Sequence, residues 1–158
     1  MEKRRIAIIR IHGKKGLRKE VKDAFKFLRL YRKHTCVIVS NSDSYVGMLK
    51  KIDSFVAWGE INDETLRILL ERRGRLARKE ILRERYVHEK LDISLKEFVT
   101  EVLAFKKELK DLPGLKLFFK LSPPRGGFEK GGIKEQYAAG GASGYRKEHV
   151  NELIMRMV

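Results

Sequence analysis

Of 158 residues, one is cysteine, one is tryptophan, three are proline and four are histidine. A lone cysteine closes no internal disulfide. Cys36 lies in the apolar run Cys36-Val37-Ile38-Val39, where a small buried thiol is expected, so the chain reads as a protein of a reducing, cytosolic compartment. His12, His34, His88 and His149 have no second histidine or cysteine at ligand spacing, which argues against a zinc site. Long hydrophobic runs are missing as well, and none approaches the roughly 20 residues that span a bilayer. The basic start Lys3-Arg4-Arg5 is followed by only a short apolar run before Arg10, so no signal peptide is expected.

Motifs that carry chemistry are equally scarce. The glycines near Lys14 and those from Gly126 to Gly144 lack the spacing of a phosphate loop followed by Lys and Ser or Thr. Ser143 is flanked by glycines but sits in no nucleophile elbow. Glu60, Asp63 and Glu64 are explained by helix capping, and Glu129 and Glu135 fall in a glycine-rich tract. Neither an enzyme, a cofactor nor a small-molecule substrate is expected.

What the sequence has in excess is positive charge: 36 Lys and Arg against 21 Asp and Glu, a net +15. Such an excess repels itself unless a polyanion neutralises it, and nucleic acid is the commonest cytosolic polyanion. A basic membrane-surface protein would need a basic amphipathic helix with exposed Trp, Phe or Leu, and the single tryptophan lies elsewhere. The 42% of hydrophobic residues suffices for a core without staples. Many Lys, Arg and Glu with few Asn, Gln and Cys point to a thermophilic source.

The order of elements follows from periodicity. Arg5 to Ile11 reads as a strand with apolar residues on both faces, and Gly13-Lys14-Lys15-Gly16 as a turn. From Leu17 to Tyr31 the positions Leu17, Val21, Ala24, Phe25, Leu28 and Tyr31 recur at helical spacing, opposite a stripe of Lys22, Lys26, Arg29 and Lys33. Cys36 to Val39 is a second strand. Asn41 to Ser44 supplies cap chemistry for a short helix with Tyr45, Met48, Leu49 and Ile52 inside and Lys50 and Lys51 outside. Phe55 to Ile61 is a third strand. Its Trp58 is read as core, with stacking on a base as the alternative.

Beyond residue 61, Asn62 caps a helix through Leu66, Leu69 and Leu70 that stops at Gly74, wrapped by the densest cationic cluster, Arg72, Arg73, Arg75 and Arg78. Ser94 with Glu97 forms a capping box, which predicts a helix from Leu95 to about Leu109. Leu115 to Leu121 predicts a fourth strand, stopped by Pro123-Pro124. The tract 125–146 holds many glycines with Arg125, Lys130, Lys134 and Arg146, and is expected to order only on a partner. A short helix with Val150, Leu153, Ile154 and Met157 on one face closes the chain. The fold class is α+β, a ferredoxin-like-related β-α-β-α-β core at residues 1–61 with a mainly helical and glycine-rich extension at 62–158.

In this order the segments Arg5-Ile6-Ala7-Ile8-Ile9-Arg10-Ile11-His12-Gly13, Leu28-Arg29-Leu30-Tyr31-Arg32-Lys33-His34-Thr35-Cys36-Val37, Met48-Leu49-Lys50-Lys51-Ile52 and Phe55-Val56-Ala57-Trp58-Gly59 resemble a family. It is that of the large-subunit ribosomal proteins called L-thirty in bacteria and archaea and L-seven in eukaryotes. His12 replaces the family's usual arginine, and Ala24 and Phe25 depart from its aliphatic preference. Phe119-Lys120-Leu121-Ser122-Pro123-Pro124-Arg125-Gly126-Gly127 and Asn151-Glu152-Leu153-Ile154 are similar to its archaeal and eukaryotic extension. The resemblance implies a three-stranded antiparallel sheet with two helices on one face, and a structural place on the large ribosomal RNA with 5S RNA nearby and ribosomal proteins as neighbours. It implies RNA contact by Arg10, His12, Gly13, Lys14, Lys15, Gly16, Arg29, Arg32, Lys33 and Arg125. Charge adds Arg18, Lys50, Lys51, Arg72, Arg73, Arg75, Arg78, Lys130, Lys134 and Arg146. An RNA-binding processing or regulatory factor outside the ribosome is the alternative, and a small ferredoxin-like enzyme would require a pocket with convergent ionisable groups at Glu60, Asp63 or His34.

Overall fold

A computed structural model describes residues 2–158 of the chain. Strands β1 (Arg5–Arg10), β2 (Thr35–Ser40) and β3 (Val56–Glu60) pair antiparallel with β1 in the centre, Ile8 lying opposite Val37 on one side and Trp58 on the other. Two short strands extend this sheet. β4 (Phe119–Lys120) runs antiparallel to β2, and β5 (Gly144–Tyr145) runs parallel to β3, giving the order β4-β2-β1-β3-β5. The α+β class stands, but the sheet is five-stranded and mixed, where the resemblance implied three antiparallel strands. The fourth strand expected at Leu115 to Leu121 forms only at Phe119–Lys120, and the two-residue β5, reached through a long excursion of the chain, shows no alternation to read.

Both faces of the sheet are covered. Ile6, Ile8, Val37 and Val56 pack with Val21, Ala24 and Phe25 of α1 (Lys19–Phe27) and with Leu49 and Ile52 of α2 (Asp43–Ile52). The alternate residues Ala7, Ile9, Cys36 and Ala57 point the other way. They meet the helices of the second half: α3 (Asp63–Arg73), α4 (Glu84–Leu91), α5 (Leu95–Leu103) and α6 (Val150–Met157). Cys36 is fully buried there, which pushes its thiol pKa up.

Asn62 and Ser94 cap their helices, Ser94 without a return bond from the Glu97 side chain, while Ser42 at the start of α2 makes no side-chain cap bond. Asn62 Oδ1 accepts from the Thr65 amide at 2.8 Å, Ser94 Oγ accepts from Glu97 at 3.2 Å, and Val150, Leu153, Ile154 and Met157 of α6 are all buried. Two helices end early. α1 stops at Phe27 because Arg29 takes a left-handed conformation (φ 62°) and the Leu30 amide turns back to the Phe25 carbonyl. α5 stops at Leu103, six residues short of the expected end, before left-handed Phe105. α4 was not foreseen, since Val87 is its one buried residue and gives no stripe.

The tract 125–146 departs furthest from expectation. It is folded by bonds of its own, the Gly131 amide donating to the Gly140 carbonyl, Ala142 to Gly132, and Ser143 Oγ to Glu135, and is joined to the rest of the chain by the Arg125 amide on the Arg156 carbonyl and the Arg146 amide on the Trp58 carbonyl. Ala142 and Ser143 are fully buried. Its backbone polar groups therefore find partners within the chain, which composition alone does not reveal. At the joint with α6, a side chain on Gly59 would collide with the Lys147 carbonyl, and Asn151 ties the helix to β3 by donating to the Glu60 carbonyl at 3.0 Å while accepting from the Asn62 amide.

Candidate nucleic-acid interface

The first cationic group lies on the α1/α2 side of the sheet. The turn after β1 exposes Lys14 and Lys15, and Gly16 (φ 73°) lets the chain swing into α1, whose approach exposes Arg18. Lys22 and Lys26, one helical turn apart, are exposed on α1. Arg29, Arg32 and Lys33 follow in the loop to β2, and Lys50 and Lys51 close the last turn of α2, where the helix dipole favours cations. Among the described residues none of these ten has a carboxylate within 4.0 Å. Like charges at i and i+4, as with Lys22 and Lys26, repel by a few tenths of a kcal/mol, an expense that folding alone does not explain.

Arg10 does not belong with them. It is 4% exposed, its guanidinium donates to the carbonyls of His12, Leu30 and Gly13, and it lies 4.1 Å over the Phe25 ring. Burial lowers its pKa, yet a guanidinium stays charged at neutral pH. The expected phosphate ligand is thus a brace that shapes the turn presenting Lys14 and Lys15. His12 is half-buried edge-on to Phe55, with Nδ1 3.0 Å from the Gly13 carbonyl, and with Gly13 forms part of the same brace.

A second group belongs to the α3 side. Arg72 and Arg78 are exposed, Arg78 and Lys79 both being left-handed. Arg73 donates to the Lys120 carbonyl and to Ser122 Oγ at 2.8 Å, and Arg75 to the carbonyls of Arg72 and Gly74. These bonds hold the two side chains without neutralising them. In the third group Arg125, Lys130 and Lys134 are exposed, Arg125 also donating to the Met155 carbonyl. Arg146 is the second correction. It is 2% exposed, forms a two-pronged pair with Glu129 at 2.6 and 2.7 Å, and donates to the Ala142 carbonyl. Burial alone would push Glu129 up, but the hydrogen bonds and charge of Arg146, with Arg156 at 3.6 Å, hold its carboxyl below the usual range. No polyanion reaches such a group without unfolding it.

Trp58 is neither wholly core nor free. Its Nε1 donates to Asp53 at 3.0 Å, and its ring lies 4.4 Å from that of Tyr145, whose hydroxyl donates to Glu60. Burial, then the bond to Glu60, raises the Tyr145 pKa to about 12. The sequence reading missed Tyr31: assigned to the apolar face of a longer helix, it is 47% exposed because α1 ends before it. The carboxylates Asp63, Glu64, Glu71 and Glu84 line one surface hollow, but without histidine or cysteine and with Glu71 paired to Arg67. Among the described residues, no cluster of three His, Cys, Asp or Glu could hold a metal, and no helix is long and apolar enough to cross a membrane.

A mixed sheet covered on both sides, with cations over one side that have no carboxylate within 4.0 Å among the described residues, defines an α+β protein with a cationic surface. The family model described as ribosomal protein L30p/L7e matches residues 6–56. The chain is 42% identical over 149 residues to the large ribosomal subunit protein uL30 of Methanopyrus kandleri, covering 94% of this chain and 100% of that one. It is 41% identical over 152 residues to the proteins of that name from Methanococcus vannielii and Nanoarchaeum equitans, with 96% of this chain and 98% and 97% of theirs covered. The chain belongs to the L30p/L7e family of ribosomal proteins, structural constituents of the ribosome and not enzymes.

Proposed function

We propose that this protein is a cytoplasmic constituent of the large ribosomal subunit that binds ribosomal RNA and stabilises its assembled fold, with 5S RNA and other ribosomal proteins close by. The observation that carries the reading is the set of unpaired cations on the α1/α2 side, in a chain whose relatives are named large-subunit proteins. Lys14, Lys15, Arg18, Arg29, Arg32, Lys33, Lys50 and Lys51 neutralise phosphates from residues 1–61. Arg72, Arg73, Arg75, Arg78, Arg125, Lys130 and Lys134 do so from residues 62–158. Arg10, His12, Gly13, Gly16 and Arg146 act through the shape of the surface.

Phosphate contacts release counterions, so affinity falls with salt along a slope proportional to their number. Changing Lys14, Lys15 and Arg18 together to Ala is expected to weaken binding to large-subunit RNA and to flatten the slope of log K against log salt by roughly 0.7–0.9 per lost contact. Glu20→Ala with Asp23→Ala on the same helix leaves binding equal or tighter. A triple variant with wild-type affinity and slope would move the interface to Arg72, Arg73, Arg75 and Arg78. Retention in subunits after a moderate salt wash separates this reading from a loosely associated RNA-processing factor, which washes off.

A further inference from the structure

Between the turn after β1 and the end of α1 lies a hollow of about 460 Å³. Its floor is apolar, made by Leu17, Phe25 and Leu30, all buried, with the braced Arg10 beside them. The exposed Lys14, Lys22 and Lys26 also line it, as does Tyr31, whose ring meets that of Phe118 edge-on at 5.5 Å. The volume falls in the roughly 300–1,000 Å³ range of small-ligand sites. A phosphate gains nothing from an apolar floor, and a surface that only tracked a duplex backbone would need none. A ring with a wide apolar face joined to an anion matches both halves of the hollow, and an unstacked nucleotide is such a group.

From this combination we infer that the hollow takes a single extruded RNA nucleotide, the base entering against Tyr31 and the apolar floor while its flanking phosphates meet Lys14, Lys22 and Lys26. The inference rests on the RNA-binding reading above and adds to it a kind of contact that salt does not screen. Arg10 positions the site without touching the phosphate, since its donors are committed to the carbonyls of His12, Leu30 and Gly13. The left-handed Arg29 is what brings Tyr31 to the hollow, by ending α1 one turn before it.

The test measures binding of the full chain to purified large-subunit RNA across a salt series. Tyr31→Ala is expected to weaken binding about five- to 150-fold, the range for loss of one base–aromatic stack, while leaving the salt slope unchanged. Tyr31→Trp and Tyr31→Phe are expected to stay near wild type. Lys22→Ala with Lys26→Ala is expected to lower both affinity and slope. Ultraviolet cross-linking of the wild-type complex, read by mass spectrometry, is expected to place a nucleotide adduct on the peptide holding Tyr31. Wild-type affinity in Tyr31→Ala, with the thermal midpoint also unchanged, would overturn the nucleotide site while RNA binding by the lysines stands. Failure of the wild-type chain to bind the RNA in a salt-dependent way would overturn both.

Discussion

The two halves of the chain spend their positive charge differently. Residues 1–61 carry 15 basic and 6 acidic side chains, and those on α1, α2 and their loops stand free of carboxylates. Residues 62–158 carry 21 basic and 15 acidic side chains, and most of the ion pairs are made there: Arg67 with Glu71, Arg85 with Glu89, Lys107 with Glu101, and Arg146 and Arg156 with Glu129. Even Arg5 of the first half is drawn into the second, held by Glu108 and the Val102 carbonyl. Equal-looking lysines and arginines therefore do unequal work. In the second half several hold the fold, and in the first they raise the potential of a surface.

That contrast can be broken by removing one half. A fragment of residues 1–61 loses the cover over Ala7, Ile9, Ile11, Cys36 and Ala57, and we expect it to aggregate or to lack a cooperative melting transition, while the full chain melts as one unit. Next in size is Arg146→Met. It leaves the Glu129 carboxylate partly buried with only Arg156 nearby, and removing one partner of such a pair costs about 3–5 kcal/mol when burial is complete. Because Glu129 keeps some contact with water, a loss at the lower end of that range is expected, read from the shift in urea midpoint.

The same pair predicts a pH dependence. The folded pKa of Glu129 is depressed, so its contribution to stability is present above the unfolded carboxylate value of roughly 4.3 and is lost as pH falls through the folded value. From pH 5 downward the wild type should therefore lose stability faster than Glu129→Gln, whose own stability at pH 7 is lower. Equal slopes for the two proteins would remove Glu129 from the account. The smallest effect sharpens the comparison from the other half. The Lys14, Lys15 and Arg18 triple alanine variant, expected to weaken RNA binding, should change stability by no more than about 0.5 kcal/mol per site.

What could be read from the sequence was whatever its neighbours along the chain determine. Asn62 and Thr65 lie within one turn, so the start of α3 is legible, and the stripe Val150, Leu153, Ile154 and Met157 announces the buried side of α6. β1 was read with apolar residues on both faces, yet the expected architecture covered one face only, and the helices of the second half cover the other. What escaped was set at a distance. Leu28 and Tyr31 continue the helical period, and α1 nevertheless ends because Leu30 is claimed by Phe25 and by Arg10, twenty residues away. The pairing of Arg146 with Glu129 and the docking of Phe119 beside Cys36 leave no periodic trace either. For the interface the split is the same. Which residues are cationic was plain, but which cations are spoken for depended on partners far along the chain.

The cover over the second sheet face has a consequence in time. β1, β2 and β3 lie within the first 60 residues, while α6, which packs on β3, ends at Met157. At synthesis rates of about 5–20 residues per second, roughly 5–20 s separate completion of the central strands from emergence of their last covering helix. During that interval Ala7, Ile9 and Ala57 have no finished roof, and the cationic side is already made. A nascent chain in this condition is sticky on one face and strongly charged on the other. The folding step most open to misassociation is therefore the last, when the chain's end returns to a sheet built from its beginning.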